Sequence, residues 1–165
     1  MERWDVYDAG RNRTGEVVDR KALGLGQYHL VVHVCVFNSR GEMLLQKRAK
    51  TGIWDLSATG DVRAGESGKE AAQRVAREQL GLTLTLERPS FSVSVPDGFD
   101  DYYVVVLDLK RSDVMVDETV ISALCGANEK TIRDFSRAGM FAPIHSCVIK
   151  MAFGMRHGIG TEETK

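Results

Sequence analysis

Three cysteines in 165 residues are too few, and too odd in number, to build a disulfide framework. Cys35, Cys125 and Cys147 are far apart and follow no metal-ligand spacing, so a reducing, cytoplasmic setting is expected. Charge of one sign is also lacking: 22 Lys and Arg stand against 23 Asp and Glu, for a net charge of -1. Without a broad basic field, nucleic acid is not an expected partner. No stretch approaches the ~20 apolar residues of a membrane span, and the first residues lack the apolar run of a signal peptide, so no membrane role is expected. No internal repeat or linker divides the chain. With 43% hydrophobic residues, it reads as one domain, 1–165, able to bury a proper core.

The most informative stretch is residues 60–82, GDVRAGESGKEAAQRVAREQLGL. A glycine-bounded loop gives way to a helix at Ser67, which caps, and Glu70 three residues on completes a capping box. Alanines and straight-chain residues then run to Leu80, and Gly81 is the expected stop. At ~100° per residue, Ala72, Ala76 and Leu80 form an apolar stripe, while Glu70, Arg74 and Glu78 form a polar one. Gln79 falls near the apolar side, beside Val75, where an amphipathic helix calls for an aliphatic residue. Two readings stay open: a wet concavity between helix and sheet, or a packed helix with one tolerated glutamine.

Residues 1–27 read as a leading hairpin, with strand-like pieces at 4–7 and 16–18. Residues 28–37 are strongly strand-like, 38–41 supply a turn, and 42–47 form a second strand. Alternation puts His29, Val31, His33, Cys35 and Phe37 on one face. The two histidines lie ~13 Å apart along it, too far to share a metal, though one can line a site. Further strands are expected at 83–86, 91–95 and 102–109, with Asp97, Asp100 and Asp101 clustered in the loop before the last. That trio, or Asp117 and Glu118, is either solvated or a source of a metal carboxylate. Tyr102 or Tyr103 either stacks on a base or packs in the core. A short strand at 121–124, a helix at 129–137 and a final helix at 144–156 follow. Ile144, Val148, Met151 and Met155 form the last helix's stripe, facing core or dimer partner. Residues 158–165 read as a loose tail. The hairpin and last helix leave a homodimer open.

The 60–82 stretch resembles the Nudix box, G-x5-E-x7-R-E-U-x-E-E-x-G-U with U aliphatic, at Gly60, Glu66, Arg74, Ala76, Glu78, Gly81 and Leu82. Val75 and Gln79 stand where the family has glutamates. The resemblance implies an α/β Nudix fold, a mixed β-sheet sandwiched between α-helices, here with a short N-terminal β-hairpin. It also implies hydrolysis of a diphosphate linkage in a nucleoside-diphosphate-type small molecule, with Mg2+ or Mn2+ bound by oxygen ligands. Carried over, Glu78 is the main metal ligand, with Gln79, Glu66 and the Thr59 carbonyl as further ligands. Glu66, Glu78 and Arg74 form the catalytic group, and Arg48, His29, Asp100 and Asp101 the substrate side.

The run YHLVVHVCVFNSRGEMLLQKR, then WDLS before the box and GES within it, resembles the Nudix branch akin to isopentenyl-diphosphate isomerase. His29 matches a metal histidine of the isomerases, but Thr59 and Asp61 stand for their active-site Cys and His. Three functions follow. The first is a metal-dependent Nudix hydrolase, weakened by the box substitutions. The alternative is a non-catalytic nucleotide or diphosphate binder. The third, an isomerase, is disfavoured by Thr59 and Asp61.

Overall fold

His29–Phe37 is buried along almost its whole length, on both faces, and the rest of the chain is built outward from it. The computed structural model describes residues 2–157; the expected tail, 158–165, lies outside them. In chain order the strands are β1 (Arg3–Tyr7), β2 (Arg13–Asp19), β3 (His29–Phe37), β4 (Met43–Arg48), β5 (Trp54–Asp55) and β6 (Ala58–Asp61). Helix α1 (Gly68–Leu80) follows, then β7 (Phe91–Val95), β8 (Gly98–Val106), β9 (Ile121–Ala127), α2 (Glu129–Arg137) and α3 (Ser146–Gly154). Among the described residues, β1 and β2 form the expected hairpin, and the other seven strands one mixed sheet in which only β3 and β8 pair in parallel.

Alternation along β3 sorts the two cores. Leu30, Val32, Val34 and Val36 meet Ala71, Ala72, Val75 and Leu80 of α1. Cys35 and Phe37 face the other way, into a cluster with Ile132 of α2 and Ile149, Ala152 and Phe153 of α3. Helices therefore cover both faces of the sheet, as the resemblance implies.

The free edge of β3 is shared by two strands. β6 pairs with Val31 through Val34, whereas β4 touches β3 only at Phe37 and then turns away to β5 and β9. The split between β6 and β4 leaves backbone groups that need partners. Fully buried Ser57 supplies one, its Oγ accepting from Val36 N at 2.9 Å and donating to Leu44 O.

Three expectations need correction. Residues 83–86 are extended but form no strand: Leu82 and Leu86 pack into the α1-side core, and the Leu86 N–H donates to Gln73 Oε1 of α1 at 3.0 Å instead of to a neighbouring strand. β8 begins at Gly98, not at 102, because the turn holds only Pro96 and Asp97. Any side chain at position 98 would collide with the His29 backbone, its Cβ 2.0 Å from His29 O, so glycine lets the ladder start there. Asp100 and Asp101 are consequently strand residues on opposite faces, not a loop cluster. Last, α3 buries Ile149, Ala152 and Phe153, while Met151 of the expected stripe is exposed. The phase is set by Phe153, which meets Phe37 edge-on at 4.9 Å.

The helix signals were sound. Ser67 caps α1, its Oγ accepting from Glu70 N at 3.1 Å while Glu70 Oε2 accepts from Ser67 N at 2.8 Å, and Gly81 closes the helix at φ 68°. The Ser67 backbone N–H holds the Glu70 carboxyl below its ordinary range. With the folded-state value depressed, its contribution is present at neutral pH and lost as pH falls through the acid range. Ser67→Ala should lower unfolding free energy by about 1 kcal/mol in a urea titration.

Candidate functional site

Around the box, Arg74 is the hub. Its guanidinium donates to both oxygens of Glu66, at 2.6 and 3.0 Å, to the Asp61 carbonyl at 2.9 Å and to Glu78 Oε2 at 3.2 Å. Donating hydrogen bonds to the Glu66 carboxylate raises the Arg74 pKa above its ordinary value. Glu66 also accepts from Arg63 N at 3.0 Å. Glu66 and Arg74 thus brace loop to helix. Glu78 is half exposed and lies between Arg74 and Arg63, 3.7 Å from the latter.

Gln79 closes the sheet split. Its Nε2 donates to the Thr59 carbonyl at 2.6 Å, and its Oε1 accepts from Thr59 N at 3.1 Å and from Gln46 Nε2 at 2.9 Å. Gln46 is fully buried in β4 and donates onward to the Ser57 carbonyl at 3.1 Å. One turn earlier on α1, Val75 lies against the box glycine: a Cβ on Gly60 would sit 2.6 Å from Val75 Cγ1.

These contacts decide whether a divalent cation suits the box, and it does not. The Thr59 carbonyl is taken by an amide N–H, Gln79 is neutral and held by three hydrogen bonds, Glu66 is clamped, and position 75 is a packed aliphatic. Among the described residues no three His, Cys, Asp or Glu are gathered to hold a metal. Gln46 Oε1 is buried without a partner, but one neutral oxygen does not replace two missing carboxylates. Of Thr59, Glu66, Glu78 and Gln79, expected as one ligand set, Thr59, Glu66 and Gln79 are held in bracing hydrogen bonds and Glu78 stands half exposed between Arg74 and Arg63.

The odd face of the sheet carries a second group of polar side chains, ordered by strand register. Thr59, His33, Tyr102 and Phe91 form one row across β6, β3, β8 and β7. Thr59 Oγ1 is 2.9 Å from His33 Nδ1, His33 stacks on Tyr102 at 4.5 Å, and Tyr102 on Phe91 at 4.6 Å. Burial pushes the Tyr102 pKa up, so its hydroxyl stays protonated. The next row holds Asp61, Val31 and Asp100. Asp100 Oδ2 comes within 3.3 Å of His33 Nε2, without the alignment of a hydrogen bond. His29 stacks on Trp4 at 3.9 Å and approaches Asp61 at 3.3 Å. Its 6% exposure makes it a packed residue with little surface for a substrate. Arg48 pairs with Asp55 at 3.2 Å and keeps about a third of its side chain exposed, 32%.

The hairpin is part of this site. The Ala64 N–H donates to Arg3 O at 2.8 Å, Gly65 N–H to Asp5 Oδ2 at 2.9 Å and Arg13 Nη2 to Glu66 O at 2.9 Å. Arg11 reaches Asp101, which is 2% exposed on the α1 face, so Asp101 is a structural anchor away from His33. Gln46, Ser57 and the role of Arg11 were not anticipated from the sequence. Only Gln46, polar in an apolar strand, carried a visible signal.

The description of a NUDIX domain matches residues 27–132, a span that begins just after the hairpin and holds the box and both rows. The chain belongs to the Nudix family. An uncharacterized Nudix hydrolase from Listeria monocytogenes is 35% identical over 151 residues, covering 87% of this chain and 89% of that protein. An isopentenyl-diphosphate Delta-isomerase from Serratia proteamaculans is 33% identical over 118 residues, 64% of this chain and 66% of the isomerase. Among solved structures, a Deinococcus radiodurans protein superposes with a TM-score of 0.77 at 23% identity, over 92% of this chain and 99% of that one. A Nudix-family hydrolase from Clostridium perfringens gives 0.57 at 16% identity, over 78% and 97%. The Nudix fold, with helices on both faces of a mixed sheet, is thus shared well beyond detectable identity. Nudix hydrolases generally use divalent metals. Among the described residues no helix is long and apolar enough to cross a membrane.

Proposed function

We propose that this Nudix domain binds a small molecule bearing a diphosphate, of the nucleoside-diphosphate type, and does not hydrolyse it through box-bound Mg2+ or Mn2+. The carrying observation is the Gln79 amide, whose N–H to the Thr59 carbonyl at 2.6 Å stands where the family resemblance implies a cation. An N–H donor satisfies that carbonyl as a cation does, without needing the charge of two further glutamates. Arg48, partly exposed, and Arg63, 45% exposed at the box loop, are the guanidinium groups available to phosphate oxygens. A homodimer and a cytoplasmic setting remain compatible with this reading.

One observation favours a second reading, weak hydrolysis with a relocated base. Thr59 Oγ1 and His33 Nδ1 are within hydrogen-bond reach, and Asp100 lies beside Nε2. An imidazole so placed can accept a proton from a hydroxyl or a water while the carboxylate stabilises the imidazolium. The isomerase reading lacks its chemistry: Thr59 has no thiol, and Asp61 is held by His29 and Arg20.

The test is a panel of nucleoside diphosphates and their conjugates, scored for thermal stabilisation and for turnover, read as phosphate released directly from the diphosphates and after phosphatase treatment of the monoesters from the conjugates. The expected result is stabilisation that chelator leaves unchanged, without product. Metal-dependent turnover abolished by Glu78→Gln would overturn the proposal. Chelator-resistant turnover abolished by His33→Ala would select the second reading.

A further inference from the structure

A cavity of about 300 Å3 opens on the α1 face of the sheet, toward the end of β3 opposite His29. Its floor is apolar, formed by Val36, Leu44 and Leu124 on the strands and by Leu109 and Val114 on the segment that crosses above them. That segment is pinned at both ends, Leu107 N–H donating to Phe37 O and Met115 N–H to Leu80 O, each at 2.8 Å. Between the pins, Leu109 and Val114 pack against the α1-side core and wall the cavity.

The rim is cationic. Arg40, Lys110 and Arg111 line it, with Glu42 the sole anion among its lining residues. Glu42 is already engaged by Arg40 and Asn38, at 3.0 and 2.9 Å. Two neighbouring carboxylates do not line the cavity: Asp108 accepts from the Ser39 N–H at 2.8 Å, and Asp113 from the Lys110 backbone N–H at 2.8 Å. Arg111 donates one N–H to the Val114 carbonyl at 2.9 Å. Among the described residues, neither Lys110 nor Arg111 has a carboxylate partner. Two uncompensated cations above an apolar floor are the complement of one kind of molecule.

We propose that this cavity binds an amphipathic organic anion. Its aromatic or branched apolar body lies on Leu44, Leu124 and Val36, and its single carboxylate, sulfonate or phosphate head sits between Lys110 and Arg111. The site is separate from the box and from the His33 row, and the inference does not rest on the function proposed above. Cys125 is in the wall as an unreactive thiol, its pKa raised by burial.

The probe is anilinonaphthalene sulfonate, which has an aromatic body and one fixed negative charge, titrated onto the folded protein and followed by fluorescence. The expected result is saturable one-to-one binding, weakened roughly fivefold or more by Lys110→Glu with Arg111→Glu, and weakened by added salt. Leu124→Trp should abolish it by filling the floor. Since Leu124→Trp threatens folding, the two exposed charge reversals are the deciding variants. Unsaturable binding, or binding indifferent to charge reversal and salt, overturns the proposal.

Discussion

Gln79→Glu is expected to lower unfolding free energy by about 2–3 kcal/mol in the presence of chelator, and to recover much of that loss when Mg2+ or Mn2+ is added. The substitution replaces the side-chain NH2, including the N–H given to Thr59, with an oxygen and adds one charge. The Thr59 carbonyl loses its 2.6 Å donor and faces a carboxylate oxygen instead, at a position partly withdrawn from water. The Thr59 N–H and Gln46 Nε2 still point at Oε1, at 3.1 and 2.9 Å, so the new charge is only half compensated. A dication between Thr59 O and the new carboxylate relieves both faults, which is why recovery should be metal-specific. Wild type should show no such dependence. Equal stability of wild type and variant in chelator, or a wild type stabilised by Mn2+, would show that the amide is not the cation's replacement. Adding Val75→Glu should deepen the chelator-dependent loss, because a residue that packs on Gly60 becomes a buried carboxylate.

The architecture was legible because its signals are local. The capping box at Ser67 and Glu70, the stop at Gly81, the alternation of β3 and the leading hairpin each depend on a few adjacent residues, and each recurs in the structure. Gln79 drew attention for the right reason, a polar group on an apolar stripe. What it contacts was not legible, since its partners sit 20 and 33 positions away and meet it only because β4 leaves β3 after a single pairing. The same limit explains the error over Asp100 and Asp101. Adjacent carboxylates after a Pro-Asp-Gly turn resemble a solvated loop, and nothing local reveals that Gly98 fits against the His29 backbone and draws both into β8. Once in a strand they must part company, one beside His33 and the other toward α1.

Arg11→Met should cost about 2–4 kcal/mol in global stability and loosen the box loop. Arg11 sits in the hairpin turn at φ 64° and extends its guanidinium over the Phe99 ring, 5.6 Å from the centroid, to Asp101. Asp101 is 2% exposed, and without Arg11 its remaining side-chain partner is Ser92 Oγ at 2.6 Å. An ion pair so buried on one side is worth little against an apolar pair, yet removing one partner strands the other charge. Arg11 is itself 36% exposed, and solvent screening holds the expected loss below the usual cost for a fully buried pair. If stranding is the cause, Asp101→Asn in the Arg11→Met background should restore much of the loss, and the double-mutant cycle should show coupling above about 1 kcal/mol. Additive losses would mean that Arg11 acts through its contacts with Phe99 and Ser92 instead. Hydrogen exchange reads the local consequence. The Ala64 and Gly65 amides donate to Arg3 O and Asp5 Oδ2 of the hairpin, so they should exchange faster in Arg11→Met by more than the global destabilisation predicts. Protection that falls only in step with global stability would mean that the hairpin stays docked without Arg11. Disproportionate exchange at those two amides would make the hairpin, which precedes the span matched by the family, the element that holds the box loop in place.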